Sequence, residues 1–127
     1  MPLTDEQPPP AAFDPAKPCV WDLVANDAMD QFARSPHICR LAVEDMRARD
    51  RKGAAQYGCR LQPDNGRDAL ADSYQEMLDA CVYARQAMYE ARHSTRQSSE
   101  LTSLYRRMMA ALFDLREIID QRMAGGR

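Results

Sequence analysis

Residues 66–90 read GRDALADSYQEMLDACVYARQAMYE and carry the clearest helical pattern of the chain. On a helix turning about 100° per residue, four of its acids fall within about 80° of one another: Asp68, Asp72, Glu76 and Asp79. The apolar side chains occupy a separate arc and include Leu70, Tyr74, Met77, Cys81 and Met88. This spacing predicts an amphipathic α-helix with one acidic and one apolar face.

The acidic face itself indicates a chemistry. Like charges at positions i and i+4 repel one another, and hard cations such as Mg²⁺ bind carboxylate oxygens. A stripe of carboxylates therefore favours a metal-binding helix. The alternative is a solvated acidic face.

The remaining sequence predicts three more helices, at 21–34, 37–56 and 100–123, around the helix at 68–92. No segment alternates with period two for long, so no sheet is expected. We predict an all-α, antiparallel four-helix bundle. The last helix is apolar over a wide arc, more than one small bundle covers, and this predicts a homo-oligomer, either a dimer or a tetramer.

Composition narrows the functional classes. The 127 residues carry a net charge of −2 without a basic block, which argues against nucleic acid as a partner. No apolar run is long enough to span a bilayer, and the four scattered cysteines form no CxxC pair, so we expect a reduced cytoplasmic protein. Residues 1–18 hold six of the eight prolines and predict a flexible arm before one helical domain at 19–127.

Two further acids lie on the second predicted helix, at Glu44 and Asp45. Asp45 falls inside the apolar arc of that helix, where an acid is costly unless it is paired or binds metal. It either pairs with Arg49 one turn later or faces the cation site. Folding the second and third helices as a hairpin brings Asp45 level with Glu76 and Asp79, at about 1.5 Å per residue. Such a cluster suits two or three Mg²⁺ ions, with Mn²⁺ as the alternative.

The Glu76-Met-Leu-Asp79 segment, an ExxD motif within YQEMLDACVYARQ, resembles the third-helix motif of the MazG-like all-α NTP pyrophosphohydrolases. The longer string RDRKGAAQYGCRLQPDNGRDALADSYQEMLD is similar to small phage members of that superfamily, including the MazZ-like branch that acts on dGTP or dATP. The resemblance implies a metal-dependent enzyme that cleaves nucleoside triphosphates to monophosphate and pyrophosphate.

The sequence departs from that family at its first acidic motif, ExxE. Glu44 is followed three residues later by Arg47, and Asp45 by Ala48. The candidates for the missing ligand are then Asp45 together with Glu44, or Asp72 one turn before Glu76. The departure also keeps a rival hypothesis open, a catalytically inactive helical interaction or oligomerisation module of the same fold.

The candidate residues follow from these arguments. We predict catalytic roles for Asp45, Glu76 and Asp79, and a metal site made of these three with Glu44 and Asp72. The predicted substrate-binding residues are Lys52 and Arg67 for phosphate, Asn65 for sugar or base, and Tyr83 as a pocket residue. The resemblance also implies base stacking by Trp21 with Asn26. Five of the six have a structural alternative: a solvated cation for Lys52 and Arg67, a turn residue for Asn65, a core lid for Trp21 and a subunit contact for Tyr83.

Overall fold

The computed structural model describes residue 3 and residues 5–125, and these residues form helices and no β-strand. The all-α prediction is confirmed. The chain divides into two compact units. We call residues 7–67 the N-terminal unit, and we call residues 68–125, with the described residues before position 7, the hairpin unit.

Helix α1 of the N-terminal unit spans Val20–Ala28 and continues into a short 3₁₀ helix at Met29–Gln31. The predicted helix at 21–34 is therefore too long. The backbone N–H of Ser35 bonds to Gln31 O at 3.1 Å, which closes a turn ahead of the next helix. Since proline disfavours a helical residue before it, Pro36 enforces this break.

Helix α2 spans Pro36–Tyr57 and matches the predicted 37–56 closely. Pro36 stands in its first turn, where a missing N–H costs nothing. Gly58 ends it with φ of 80°, a left-handed conformation, and its N–H bonds to Ala54 O at 2.9 Å. Cys39 is buried, and its thiol donates to Ala28 O at 3.2 Å, which fastens α2 to the end of α1.

The segment at 7–17 is hydrogen-bonded to the loop at 59–67 within the same unit. The Ala11 N–H donates to Asn65 O, and the Val20 N–H donates to Leu61 O, both at 2.8 Å. The buried Gln62 side chain bonds to the backbone of Asp14 in both directions. The predicted boundary between a flexible arm and a helical domain at residues 18 and 19 stays a prediction.

Helices α3, Ala69–Glu90, and α4, Thr95–Gly125, form an antiparallel pair in the hairpin unit. The Asp68 side chain caps α3 by accepting from Leu70 N at 3.1 Å and Ala71 N at 3.2 Å. The same carboxylate holds both terminal nitrogens of Arg122, at 2.9 and 2.8 Å, so the first turn of α3 is tied to the last turn of α4.

Small and aliphatic side chains pack between α3 and α4. Ala71 and Cys81 of α3 are buried, as are Leu112 and Ile119 of α4. Leu112 and Ile119 lie one heptad apart on the stripe that the sequence pattern predicts. Other large apolar side chains of this unit are exposed; they include Val82, Tyr83, Phe113 and Ile118.

The start of α4 differs from its prediction. The helix begins at Thr95, five residues before the predicted position 100. The Ser94 hydroxyl accepts from Gln97 N at 3.4 Å, and the Thr102 hydroxyl donates to Ser98 O at 2.6 Å. Side-chain hydrogen bonds thus support a polar first turn that has no apolar periodicity. None of the described helices combines the length and apolar character that crossing a bilayer requires.

Candidate functional site

A cavity of about 290 Å³ lies within the N-terminal unit, between the loop at 59–67, the second half of α2 and the start of α1. Three of the six predicted substrate-binding residues line it: Trp21, Lys52 and Asn65. Trp21 and Asn65 are half-buried, and Lys52 is exposed. An aromatic ring, a cation and an amide therefore border one space, and these three groups suit an aromatic anion.

The cavity also contains residues that the sequence analysis did not select. Tyr57 supplies a second aromatic ring, Arg49 a second cation and Gln56 a second amide. Tyr57 is the last residue of α2, and Gln56 directly precedes it. Their places at the helix end are readable from the sequence, but their convergence with Trp21 depends on how the loop returns.

The other three predicted substrate residues lie elsewhere. The Arg67 guanidinium donates to Pro8 O at 2.7 Å, so this predicted phosphate contact binds the backbone of the Pro-rich segment. Asn26 is exposed on α1 and is not among the residues that line the cavity with Trp21. Tyr83 is 67% exposed on α3, in the hairpin unit.

An ion-pair network forms part of the cavity wall, since Asp50 and Arg60 both line the cavity. The Arg60 guanidinium bonds to Asp50 at 2.7 Å and to Asp22 at 2.8 Å, and Asp22 also accepts from Arg47 at 2.7 Å. Asp50 is buried, and Arg60 contacts both of its carboxylate oxygens. Hydrogen bonds from Arg60 and then Arg47 lower the pKa of Asp22 to about 2, and those to Asp50 and Asp22 raise the pKa of Arg60. This network fixes the loop after α2 against α1.

The network explains two acids and two cations that the sequence left ambiguous. Arg47, which interrupts the first acidic motif, pairs with Asp22 of α1. Asp50 reads as one more charge in RARDRK, although it is a buried partner of Arg60. The sequence offers one signal for this pair: Arg60 follows Asp50 by ten residues, and an acid that is buried needs a cation as its partner.

The predicted metal ligands of α2 are at the surface of the chain. Glu44 and Asp45 are both exposed. One side of the arc predicted to face inward is also exposed, with Ile38 at 59% and Leu41 at 43%, whereas Cys39 on the other side of that arc is buried. The inward placement of Asp45 is therefore wrong, because α2 buries the side of the arc that carries Cys39 and leaves the side that carries Asp45 exposed. The structure does not pair Asp45 with Arg49 either. The metal and catalytic roles of these α2 acids stay predictions.

The acids of α3 follow the predicted stripe. Asp72 is half-buried, and Glu76 and Asp79 are exposed one turn apart. Asp68, at the head of the stripe, is committed to the helix cap and to Arg122, and the Arg122 hydrogen bond lowers its pKa. Among residue 3 and residues 5–125, no three His, Cys, Asp or Glu side chains are grouped closely enough to hold a metal ion. The Mg²⁺ site stays a prediction.

Comparisons with known proteins give no match: no protein-family model, curated protein or solved structure resembles this chain significantly.

Proposed function

We propose that the protein is a metal-dependent nucleotide pyrophosphohydrolase. It cleaves (deoxy)nucleoside triphosphates, with dGTP and dATP as the first candidates, to monophosphate and pyrophosphate. The observation that carries the proposal is the cavity of the N-terminal unit, where Trp21, Lys52 and Asn65 line one space. A nucleotide presents an aromatic ring, hydrogen-bonding edges and negative charge, and this lining has a group for each.

The cations at the cavity support an anionic ligand. Lys52 and Arg49 are both exposed, and neither is held in an ion pair among the described residues. Arg60, by contrast, is engaged by two carboxylates. Lys52 and Arg49 are therefore the cations that can donate to phosphate oxygens, with Arg offering a bidentate fork.

The acids of α3 support the hydrolytic part of the proposal. Glu76 and Asp79 present hard oxygen donors one helical turn apart, and Asp72 lies one turn before Glu76 on the same stripe. This donor set suits Mg²⁺ or Mn²⁺. When bound, such an ion polarises phosphate oxygens and makes the attacking water more acidic. The cavity and the acidic stripe belong to different compact units, and each supports the proposal by itself.

The proposed reaction balances without a further reactant. Water attacks the α-phosphorus, the bond from that phosphorus to the bridging oxygen breaks, and pyrophosphate leaves. A carboxylate held off the metal accepts the proton of the water. Glu76 and Asp79 are the candidates on α3.

Substitution of the acids tests the proposal through turnover of dGTP with Mg²⁺. Glu76→Gln and Asp79→Asn should each lower the rate about a hundredfold or more, the scale of a lost acid–base or metal contact. Glu117→Gln, an exposed acid of α4, is the matched control and should retain the rate. Equal turnover in all three variants would overturn the assignment of the α3 acids.

A second candidate function has its own observation. The hairpin unit exposes Val82, Tyr83, Phe113 and Ile118, each with more than half of its surface accessible. Exposed apolar side chains of this size mark an association surface. We infer a homo-oligomer, a dimer or tetramer in which hairpins complete a four-helix bundle. An inactive interaction module is the alternative that this surface also favours. It predicts self-association without turnover of any nucleotide.

A further inference from the structure

The Pro-rich segment before α1 is fastened to the loop at 59–67 by hydrogen bonds at three points. The buried Gln62 side chain accepts from Asp14 N at 2.8 Å and donates to Asp14 O at 2.7 Å and Lys17 O at 3.2 Å. Ala11 N donates to Asn65 O at 2.8 Å. Arg67 donates to Pro8 O at 2.7 Å. Buried amides are seldom left unpaired, and Gln62 uses both ends of its side chain here.

The fastened segment is also a wall of the cavity. Pro10 and Ala11, which carry no charge, line the cavity together with Trp21, Tyr57 and Asn65. The bond from Ala11 to Asn65 sits at the edge of the cavity, since both residues line it. Pro10 presents a ring without an N–H, and Ala11 a methyl group, so this wall is apolar.

The size of the cavity selects what it can hold. Its volume of about 290 Å³ is just below the range of about 300–1,000 Å³ for small-molecule pockets. One planar ring system fits this space, and a complete triphosphate needs more. Lys52 and Arg49 also line the cavity and are exposed, so they can contact the negatively charged phosphates of a ligand whose ring system fills the cavity.

We propose that the Pro-rich segment is part of the substrate site: Pro10 and Ala11, fastened by Gln62 and Asn65, form the wall against which the nucleobase packs. This inference rests on the proposed function for the identity of the ligand as a nucleotide. It assigns the segment a role in binding and selecting the base, separate from the hydrolytic step. Gln62 is a positioning residue, because it acts through the segment that it holds.

The only tryptophan of the chain makes the test direct. Trp21 lines the cavity, so its fluorescence reports on occupancy. The probe is dGTP in EDTA, where metal-dependent turnover is stopped, and inorganic triphosphate is the comparison ligand that lacks a base. Wild-type protein should show a saturable change in Trp21 fluorescence with dGTP.

Two variants loosen the segment, and each has a matched control. Gln62→Ala removes three hydrogen bonds, and Gln31→Ala changes an exposed glutamine of the 3₁₀ helix. Ala11→Pro removes the N–H that bonds to Asn65, and Ala12→Pro makes the same change at an exposed neighbour that does not line the cavity. Ala11→Pro leaves the helices untouched, so it decides the matter if Gln62→Ala does not fold. Circular dichroism verifies the helix content of each variant.

The dissociation constant for dGTP should rise by about fivefold or more in Gln62→Ala and Ala11→Pro, the effect of a lost hydrogen bond at the wall. It should stay at the wild-type value in both controls, and triphosphate binding should not change in any variant. The inference would be overturned if the folded Ala11→Pro variant bound dGTP with the wild-type affinity. It would also be overturned if dGTP did not change the Trp21 fluorescence of the wild-type protein.

The inference and the proposed function fail separately. Turnover of dGTP with unchanged affinity in the loosened variants contradicts the role of the segment and leaves the hydrolase standing. If dGTP is not turned over but binds more weakly to the loosened variants, the hydrolase is contradicted and the role of the Pro-rich segment in binding the base is supported.

Discussion

Asp22 accepts hydrogen bonds from two guanidinium groups, and its pKa of about 2 reflects them. Because the pKa of Asp22 is lower in the folded protein than its ordinary 3.8, the folded state binds this proton more weakly than the unfolded state. The stabilisation is therefore complete above about pH 4 and is lost as the pH falls toward 2.

Asp22→Asn should make the N-terminal unit less sensitive to acid. The melting temperature of the wild type should fall between pH 4 and pH 2 by more than that of the variant. Asp30→Asn, an exposed acid of the 3₁₀ helix, is the control and should retain the wild-type acid sensitivity. Parallel pH profiles of wild type and Asp22→Asn would show that the two guanidinium contacts contribute nothing in solution.

Arg60 is the residue on which the buried Asp50 depends. Arg60→Gln removes the guanidinium that contacts both carboxylate oxygens of Asp50, and a buried acid without its cation is destabilising. We expect a lower melting temperature at pH 7 for Arg60→Gln than for Arg51→Gln, an exposed arginine of the same region. Equal melting temperatures would mean that water replaces the guanidinium.

Helix α2 has two glycines in its second half and at its end, and we expect substitution by alanine to have opposite effects at these two positions. Gly58 has φ of 80°, so Gly58→Ala should destabilise the protein by about 1 kcal/mol. Gly53 lies inside the helix, and an added Cβ meets nothing within 4 Å, so Gly53→Ala should stabilise by about 0.5–1 kcal/mol. Urea unfolding measures both free energies. A neutral or stabilising effect of Gly58→Ala would contradict the cap assigned to Gly58.

At the first turn of α3, Asp68 has two roles that variants can distinguish: it caps the helix and it pairs with Arg122. Asp68→Ala removes both and should cost more than Arg122→Gln, which removes the ion pair alone; the cap is worth about 0.5–2 kcal/mol. Asp68→Ser restores a capping oxygen and should recover most of that difference. Identical unfolding free energies for the Asp68→Ala and Asp68→Ser variants would exclude a capping role.

Sequence patterns predicted those elements whose limits are set by local chemistry. Pro36 and Gly58 bound α2, and Asp68 caps α3, so the ends of these helices were close to their predicted positions. The start of α4 was missed because residues 95–99 carry no apolar periodicity, and the Ser94 cap alone does not distinguish a helix from a loop.

The site was predictable only in part, for a related reason. Trp21, Lys52 and Asn65 were chosen for their chemistry, but their place around one cavity follows from long-range contacts. The bonds from Gln62 to Asp14 join residues 48 positions apart, and no local pattern encodes them. The exposure of Asp45 likewise depends on which side of the apolar arc of α2 is buried, and the local sequence pattern does not decide this.

For the whole molecule, a functional α3 stripe predicts stabilisation by divalent cations. A ligand that binds only the folded state stabilises it by about 2.7 kcal/mol at a hundred times Kd, so the melting temperature rises with the ligand concentration. Mg²⁺ should therefore raise the melting temperature of the wild type and of Glu117→Gln, and should raise that of Glu76→Gln less. A shift of equal size in Glu76→Gln would place the cation elsewhere.

The proposed hydrolase breaks the bond between the α- and β-phosphates. The direct measurement is chromatographic separation of the products formed from dGTP by purified protein with Mg²⁺, with dATP, dCTP and the ribonucleotides run beside it. We predict dGMP and pyrophosphate in equal amounts, with both absent in Glu76→Gln. Formation of dGDP and phosphate, or no product from any nucleotide, would contradict the claim.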